Sequence, residues 1–124
     1  MRRAVYRRML AHARSEAPRE AVGLLLGRGD RASRLLELAN ASERPRQAYR
    51  ADPAELLGAL RRADEEGLEV LAVYHSHPRG PARPSPTDLR EAVWRTVYVI
   101  VGLQPEEVRA YRLPSGEEVE LIVG

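Results

Sequence analysis

A short apolar run that ends in two histidines is the feature that most constrains what this chain can fold into. Residues 70–74 read Val-Leu-Ala-Val-Tyr, which is typical of a buried β-strand, and His75 and His77 follow directly. Because side chains alternate between the faces of a strand, both imidazoles project from one face, with Cα atoms about 6 to 7 Å apart. Two such imidazoles can hold one metal ion, and Asp88 can supply a third ligand once the intervening loop turns back. The sequence therefore predicts a metal site at the end of a strand.

The segment around Asp88 also has a purely structural interpretation. Ser85 is a good helix N-cap, Pro86 suits the first helical position, and Asp88 is the acidic partner of a capping box. Taken alone, this capping pattern accounts for both Ser85 and Asp88. The two interpretations are compatible, because a helix that starts beside the histidines would hold both side chains rigidly at the metal.

The ligand types indicate a catalytic rather than a structural metal. Three protein ligands leave the fourth tetrahedral position of a zinc ion for water, whereas structural zinc sites are closed and usually contain cysteine. The chain has no cysteine. One Zn²⁺ per chain with a bound water is the prediction, although iron, cobalt and manganese accept the same ligand types.

Residues 74–88, which read YHSHPRGPARPSPTD, resemble the metal motif of the JAMM (MPN+) metalloprotease family. That family also places a glutamate upstream in a segment of the form E-x-x-G-L-L-x-G, and residues 20–27 read EAVGLLLG. Segments 40–45 and 49–53 match as well, so the resemblance covers nearly the whole chain. The sequence is identified as a minimal prokaryotic member of the family.

The resemblance assigns a role to each residue of the motif. Glu20 becomes the general base that acts on zinc-bound water, and Ser85 becomes a hydrogen-bond donor to the tetrahedral intermediate. Glu16, one helical turn earlier, is the alternative base. The implied zinc ligands are His75, His77 and Asp88.

Two arginines in the Pro/Gly-rich loop between the ligands are candidate substrate-binding residues. Arg79 and Arg83 could steer a carboxylate or a substrate tail toward the metal, although solubility alone also explains them. His12 lies on the first predicted helix, away from the motif, and we expect it at the surface or half-buried rather than at the metal.

The family and the hydrophobic pattern agree on the fold. They predict an α+β fold, with a single MPN-like domain over residues 1–124 in which helices flank a curved, mostly antiparallel sheet. In the second helix, which Asp52 caps and Gly67 ends, we expect Leu56, Leu57 and Leu60 to face the core. The other predicted elements are a helix at 2–16, strands at 22–28, 34–39, 68–76 and 96–102, a short helix after Ser85, and hairpin strands at 107–113 and 117–123.

Composition limits the cellular setting. No apolar run of about 20 residues could span a membrane, and the basic start lacks an apolar signal core, so we expect a cytoplasmic protein. All 20 basic side chains are arginine, and this bias, nine prolines and the absence of cysteine suggest a thermophilic or GC-rich source. The net charge of +2 does not favour nucleic acid as a partner.

The resemblance implies a zinc-dependent peptidase or isopeptidase. Its expected substrate is the C-terminal Gly-Gly tail of a ubiquitin-like or sulfur-carrier protein, and a homodimer is left open. Two alternatives are a non-catalytic MPN scaffold that binds a partner, and a DNA-repair-associated relative, because the RadC family has a similar histidine motif.

Overall fold

One open sheet with helices on both faces forms the framework of the site. A computed structural model of the chain describes residues 1–92 and 96–124. Within them the helices are α1 (Arg3–Glu16), α2 (Pro53–Glu65) and α3 (Pro86–Glu91). The strands are β1 (Val22–Arg28), β2 (Arg31–Leu38), β3 (Glu69–His77), β4 (Val97–Leu103), β5 (Glu106–Arg112) and β6 (Glu117–Val119).

The strand order places β3 near the centre of the sheet. The order is β2-β1-β3-β4-β5-β6, and each neighbouring pair is antiparallel except β3 and β4. The parallel pair requires a crossover, and the chain makes it through the loop after His77 and through α3. This arrangement confirms the predicted α+β fold with a mostly antiparallel sheet.

Helix α1 covers one face of the sheet through the apolar stripe that the sequence predicted. Val5, Met9 and Ala13 are buried in one core cluster with Leu25 of β1. His12 lies on the same stripe and is only 5% exposed, so the expectation of a surface or half-buried position is wrong. Its position three residues after Met9 turns it toward the sheet, where its Nδ1 lies 2.6 Å from a tyrosine hydroxyl of β3.

Helix α2 packs on the opposite face, but less deeply than predicted. Asp52 caps it through the N–H of Ala54, and Gly67 follows it with a φ of 68°, as expected. Leu57 is 50% exposed, so its assignment to the core is wrong. The stripe that faces the sheet contains Leu56 and the buried Ala63, seven positions apart, and Leu57 is turned about 100° away from Leu56 around the helix axis.

Several strand boundaries differ from the predictions. β2 begins at Arg31 because the Gly29-Asp30 turn is short, and β3 extends to His77, so one strand holds both histidines. β6 is only three residues long, not the predicted seven. The reason lies at the termini: Met1 donates to Ile122 O at 2.9 Å and accepts from the N–H of Gly124 at 3.1 Å, so this segment leaves the sheet edge. No helix in the described parts of the chain has the length and apolarity needed to cross a membrane.

Gly23 in β1 leaves the space that the ring of Tyr74 occupies. A Cβ at this position would overlap the phenol ring, which is fully buried and cannot move aside. We expect Gly23→Ala to lower the free energy of unfolding by about 1 to 3 kcal/mol, as over-packed core substitutions do. Urea denaturation would measure the change.

Gly58→Ala is the matched control. Gly58 lies inside α2 with open space where the new methyl group would be, so this variant should be more stable by about 0.5 to 1 kcal/mol. Equal stability of Gly23→Ala and the wild type would contradict the packing argument.

Candidate metal centre

The end of β3 is clamped between β1 and β4, which fixes where the two histidines emerge. His75 pairs with Val22 of β1 and with Ile100 of β4. Just beyond the β1 pairing, Ala21 N donates to Ser76 Oγ at 2.7 Å, and Ser76 N donates to Ala21 O at 3.1 Å. These bonds bring the residue before Ala21, which is Glu20, next to the histidines.

The three predicted ligands converge at nearly equal distances. The Nε2 atoms of His75 and His77 are 3.2 Å apart, and Asp88 Oδ2 lies 3.1 Å from the first and 3.0 Å from the second. Tetrahedral zinc with bonds of 2.0 to 2.1 Å separates its ligand atoms by about 3.3 Å. A carboxylate oxygen of Glu20 completes a group whose ligand atoms all lie within 4.8 Å of one another.

The capping box and the ligand geometry coexist at the start of α3. Ser85 Oγ accepts from the N–H of Asp88 at 3.0 Å, and Ser85 N donates to Asp88 Oδ2 at 2.9 Å, which confirms the predicted cap. The same Oδ2 faces both imidazoles. The cap therefore holds the carboxylate in the orientation that the site needs.

The loop after β3 sets the tautomer of His77. Its Nδ1 lies 3.0 Å from the carbonyl oxygen of Pro81, which can only accept, so Nδ1 carries the hydrogen. In the neutral ring, the form that binds a metal, Nε2 then presents its lone pair to the cluster. The loop is held against Gly102 of β4, where any Cβ would lie 2.5 Å from Ala82 N. Tyr111 of β5 adds a hydrogen bond of 2.6 Å to Ala82 O.

The donor set fits a divalent zinc ion. Neutral imidazole nitrogens and an ionised carboxylate are acceptors, and acceptors this close repel unless a proton or a cation lies among them. Burial alone would raise the pKa of Asp88, but its hydrogen bonds with His75 and His77 hold that pKa well below its usual range. Burial lowers the pKa of His75, which keeps this ring neutral. Burial is the largest influence on His77 and opposes its protonation, but Asp88, the carbonyl of Pro81 and Glu20 together outweigh burial and raise the pKa of His77.

The carboxyl group of Glu20 is buried, and one of its oxygens makes no hydrogen bond within the described residues. The residue is 5% exposed, and the oxygen concerned is Oε1. Burial raises the pKa of Glu20 to about 7, helped by Asp88 and opposed by His77. Such a carboxyl group can both accept and return a proton near neutral pH. Glu16 lies instead on the α1 face, 3.8 Å from His12 Nε2, and is not part of the cluster.

A groove of about 970 Å³ opens beside Asp88. It runs between α3 and the β2–α2 loop, by which we mean residues 39–52. Neither Arg79 nor Arg83 lines it, because their loop packs against β4 and β5, and their role in substrate binding stays a prediction. The arginines that do line it were not singled out from the sequence, and they are Arg44, Arg50 and Arg90.

A sheet whose central strand ends in two histidines, with a capped aspartate and a buried glutamate around them, defines a JAMM-type metal domain. The model of a family described as prokaryotic homologues of the JAB domain matches residues 2–114. The chain belongs to this family of JAMM proteins, as the motif predicted.

Three relatives carry names that describe cleavage. The chain is 52% identical to the probable TtuB-protein conjugate cleaving protease of Thermus thermophilus, over 91% of this chain and 74% of the relative. It is 36% identical to the CysO-cysteine peptidase of Mycobacterium tuberculosis, over 90% and 80%. It is 31% identical to the desampylase of Haloferax volcanii, over 93% and 87%.

Solved structures confirm the fold. A protein of Desulfitobacterium hafniense superimposes with a TM-score of 0.88 at 34% identity, over 100% of this chain and 93% of the other. A structure described as a JAMM metalloprotease-like zinc site in the proteasome and signalosome superimposes with a TM-score of 0.66 at 26% identity, over 99% and 94%. The second match supports zinc as the cofactor.

Proposed function

We propose that the protein is a zinc-dependent peptidase or isopeptidase that cuts at the C-terminal Gly-Gly tail of a ubiquitin-like or sulfur-carrier protein. The observation that carries the proposal is the triangle of His75, His77 and Asp88 beside a buried oxygen of Glu20 that has no hydrogen-bond partner in the part of the chain that the structure describes. We further propose that residues 1–124 act as one domain in the cytoplasm.

Zinc, Glu20 and Ser85 have different roles in the proposed hydrolysis. When bound, zinc lowers the pKa of its water to about 7 and polarises a carbonyl as a Lewis acid. Glu20, buried beside the three ligands, accepts the proton of the attacking water and returns it to the leaving amine. Ser85 Oγ accepts from the N–H of Asp88, and its own hydrogen has no acceptor in the described chain. This hydroxyl can donate to the oxyanion that develops on the scissile carbonyl.

The surroundings of the site favour a flexible tail over a folded surface. The triangle is recessed, since the side chains of His75, Asp88 and His77 are 0%, 4% and 12% exposed. An extended segment with glycines at the scissile bond can reach such a site, because glycine has no side chain to exclude it. The relative named for cleavage of TtuB-protein conjugates supports a protein-conjugate substrate.

A fusion of a ubiquitin-like protein with a peptide added after its Gly-Gly end would test the activity. We expect cleavage directly after the second glycine, loss of cleavage with a chelator, and recovery with added zinc. Mass spectrometry of the products would locate the cut. A fusion with Val-Val in place of Gly-Gly is the control and should stay intact. Cleavage at the normal rate in the presence of the chelator would contradict the proposal.

The non-catalytic scaffold has less support. A scaffold needs neither the metal ligands nor a base, yet the structure brings all three ligands and Glu20 together. The family match is to the prokaryotic JAB homologues, so nothing adds support to the DNA-repair alternative.

A further inference from the structure

The two histidines differ in what holds their rings. The Nδ1 of His77 is fixed by a hydrogen bond to Pro81 O. The Nδ1 of His75 is buried and has no hydrogen-bond partner in residues 1–92 and 96–124. Ligating imidazoles are normally oriented by a hydrogen bond through the second ring nitrogen. On the Nδ1 side, the ring of His75 is therefore held by packing, and its other polar contacts are those of Nε2 within the cluster.

Tyr49 supplies that packing from outside the metal motif. Its ring stacks on the imidazole of His75, with ring centroids 4.2 Å apart and 22° between the two planes. His77 meets the same imidazole edge-on, with ring centroids 5.0 Å apart. A flat ring against one face limits rotation about χ2, because any large turn of the imidazole would collide with it.

Asn40 holds Tyr49 in this position. The Nδ2 of this buried asparagine donates to Ala48 O at 2.9 Å, and its Oδ1 accepts from the N–H of Arg50 at 3.1 Å. The side chain thus binds the residues directly before and after Tyr49. Its Nδ2 also donates to Glu20 O at 3.0 Å, which ties the β2–α2 loop to the wall of the metal centre.

We propose that Tyr49 is a positioning residue for His75, and that Asn40 holds the β2–α2 loop so that Tyr49 stays on the imidazole. The inference rests on the proposed function, since it takes His75 as a metal ligand. It adds two residues that neither touch the metal position nor belong to the histidine motif. Without the ring of Tyr49, His75 turns more freely and presents Nε2 to a metal less often.

Metal binding without substrate tests the proposal. Zinc affinity would be measured by competition with a chromophoric chelator, and ligand geometry by the visible absorption of the Co²⁺ form. We expect Tyr49→Leu to bind zinc about 10 to 100 times more weakly, the usual cost of losing a group that orients a ligand, and to shift the cobalt bands. Tyr49→Phe keeps the ring and should match the wild type in both measurements.

Tyr6→Leu is the control, because Tyr6 lies on α1 at the opposite face of the sheet. It should leave both measurements unchanged. Wild-type affinity and an unchanged spectrum for Tyr49→Leu would overturn the proposal, and so would an equal loss in Tyr49→Phe. If Tyr49→Leu does not fold, Tyr49→Met keeps the bulk without a flat face and has the same expected outcome.

A double-variant cycle tests the part played by Asn40. Asn40→Asp keeps the acceptor for Arg50 but removes the donor to Ala48 O and to Glu20 O, so zinc affinity should fall. Combined with Tyr49→Leu it should cause a loss smaller than the sum of the two single losses, because the bonds on either side of Tyr49 act through the ring that Tyr49→Leu has already removed. Fully additive losses would overturn this part. A wild-type protein that binds no zinc would instead refute the proposed function. Failure of the proposed function can therefore be distinguished from failure of the positioning role of Tyr49 and Asn40.

Discussion

Glu20→Gln should fold and bind zinc like the wild type yet hydrolyse its substrate about 10² to 10⁴ times more slowly, the usual contribution of a general base. The amide has nearly the same shape as the carboxyl group, and it lies beside the three ligands rather than among their closest contacts. The amide of the glutamine cannot accept a proton, so the attacking water is not deprotonated and hydrolysis is slow. The loss should appear in kcat, with zinc content near one per chain by atomic absorption.

Glu16→Gln provides the matched control for this prediction. Glu16 carries the same side chain four positions earlier, but it faces His12 on the other side of the sheet. We expect normal hydrolysis from this variant. Full activity in Glu20→Gln, or a large loss in Glu16→Gln, would show that the base has been assigned to the wrong residue.

The parts of the fold that the sequence predicted are those that local patterns determine. The strand before His75, the stripe of α1 and the caps at Asp52 and Ser85 each depend on residues within about one or two turns of one another. The metal motif is local in the same sense, since a strand end and a capped helix bring its residues together. A single sequence suffices for such features.

What the sequence did not predict depends on contacts between distant segments. The burial of His12 requires knowing that Tyr74 lies opposite it, 62 positions away. The short β6 reflects bonds between the two termini, which compete with pairing at the sheet edge.

The β2–α2 loop is the clearest case of such dependence. Its course is set by side-chain bonds from Asn40 to backbone groups of the loop, and no periodicity in the sequence encodes them. The stacking of Tyr49 on a histidine 26 positions later could therefore not be read from spacing, and neither could the arginines of the groove.

Zinc should stabilise the wild type against unfolding, because a metal that binds only the folded state adds to the stability of that state. His77→Ala should abolish this stabilisation. At a free zinc concentration of 100 times Kd this gain is about 2.7 kcal/mol. Without His77 only His75 and Asp88 of the triangle remain, so the gain should vanish together with hydrolysis. Urea denaturation with and without zinc would measure this gain in the free energy of unfolding.

His12→Asn is the control among the three histidines. Its stability without zinc should fall, because the bond to Tyr74 is lost, but its gain from zinc should persist. A zinc-dependent gain that survives in His77→Ala and disappears in His12→Asn would place the metal on the wrong face of the sheet for every role argued above.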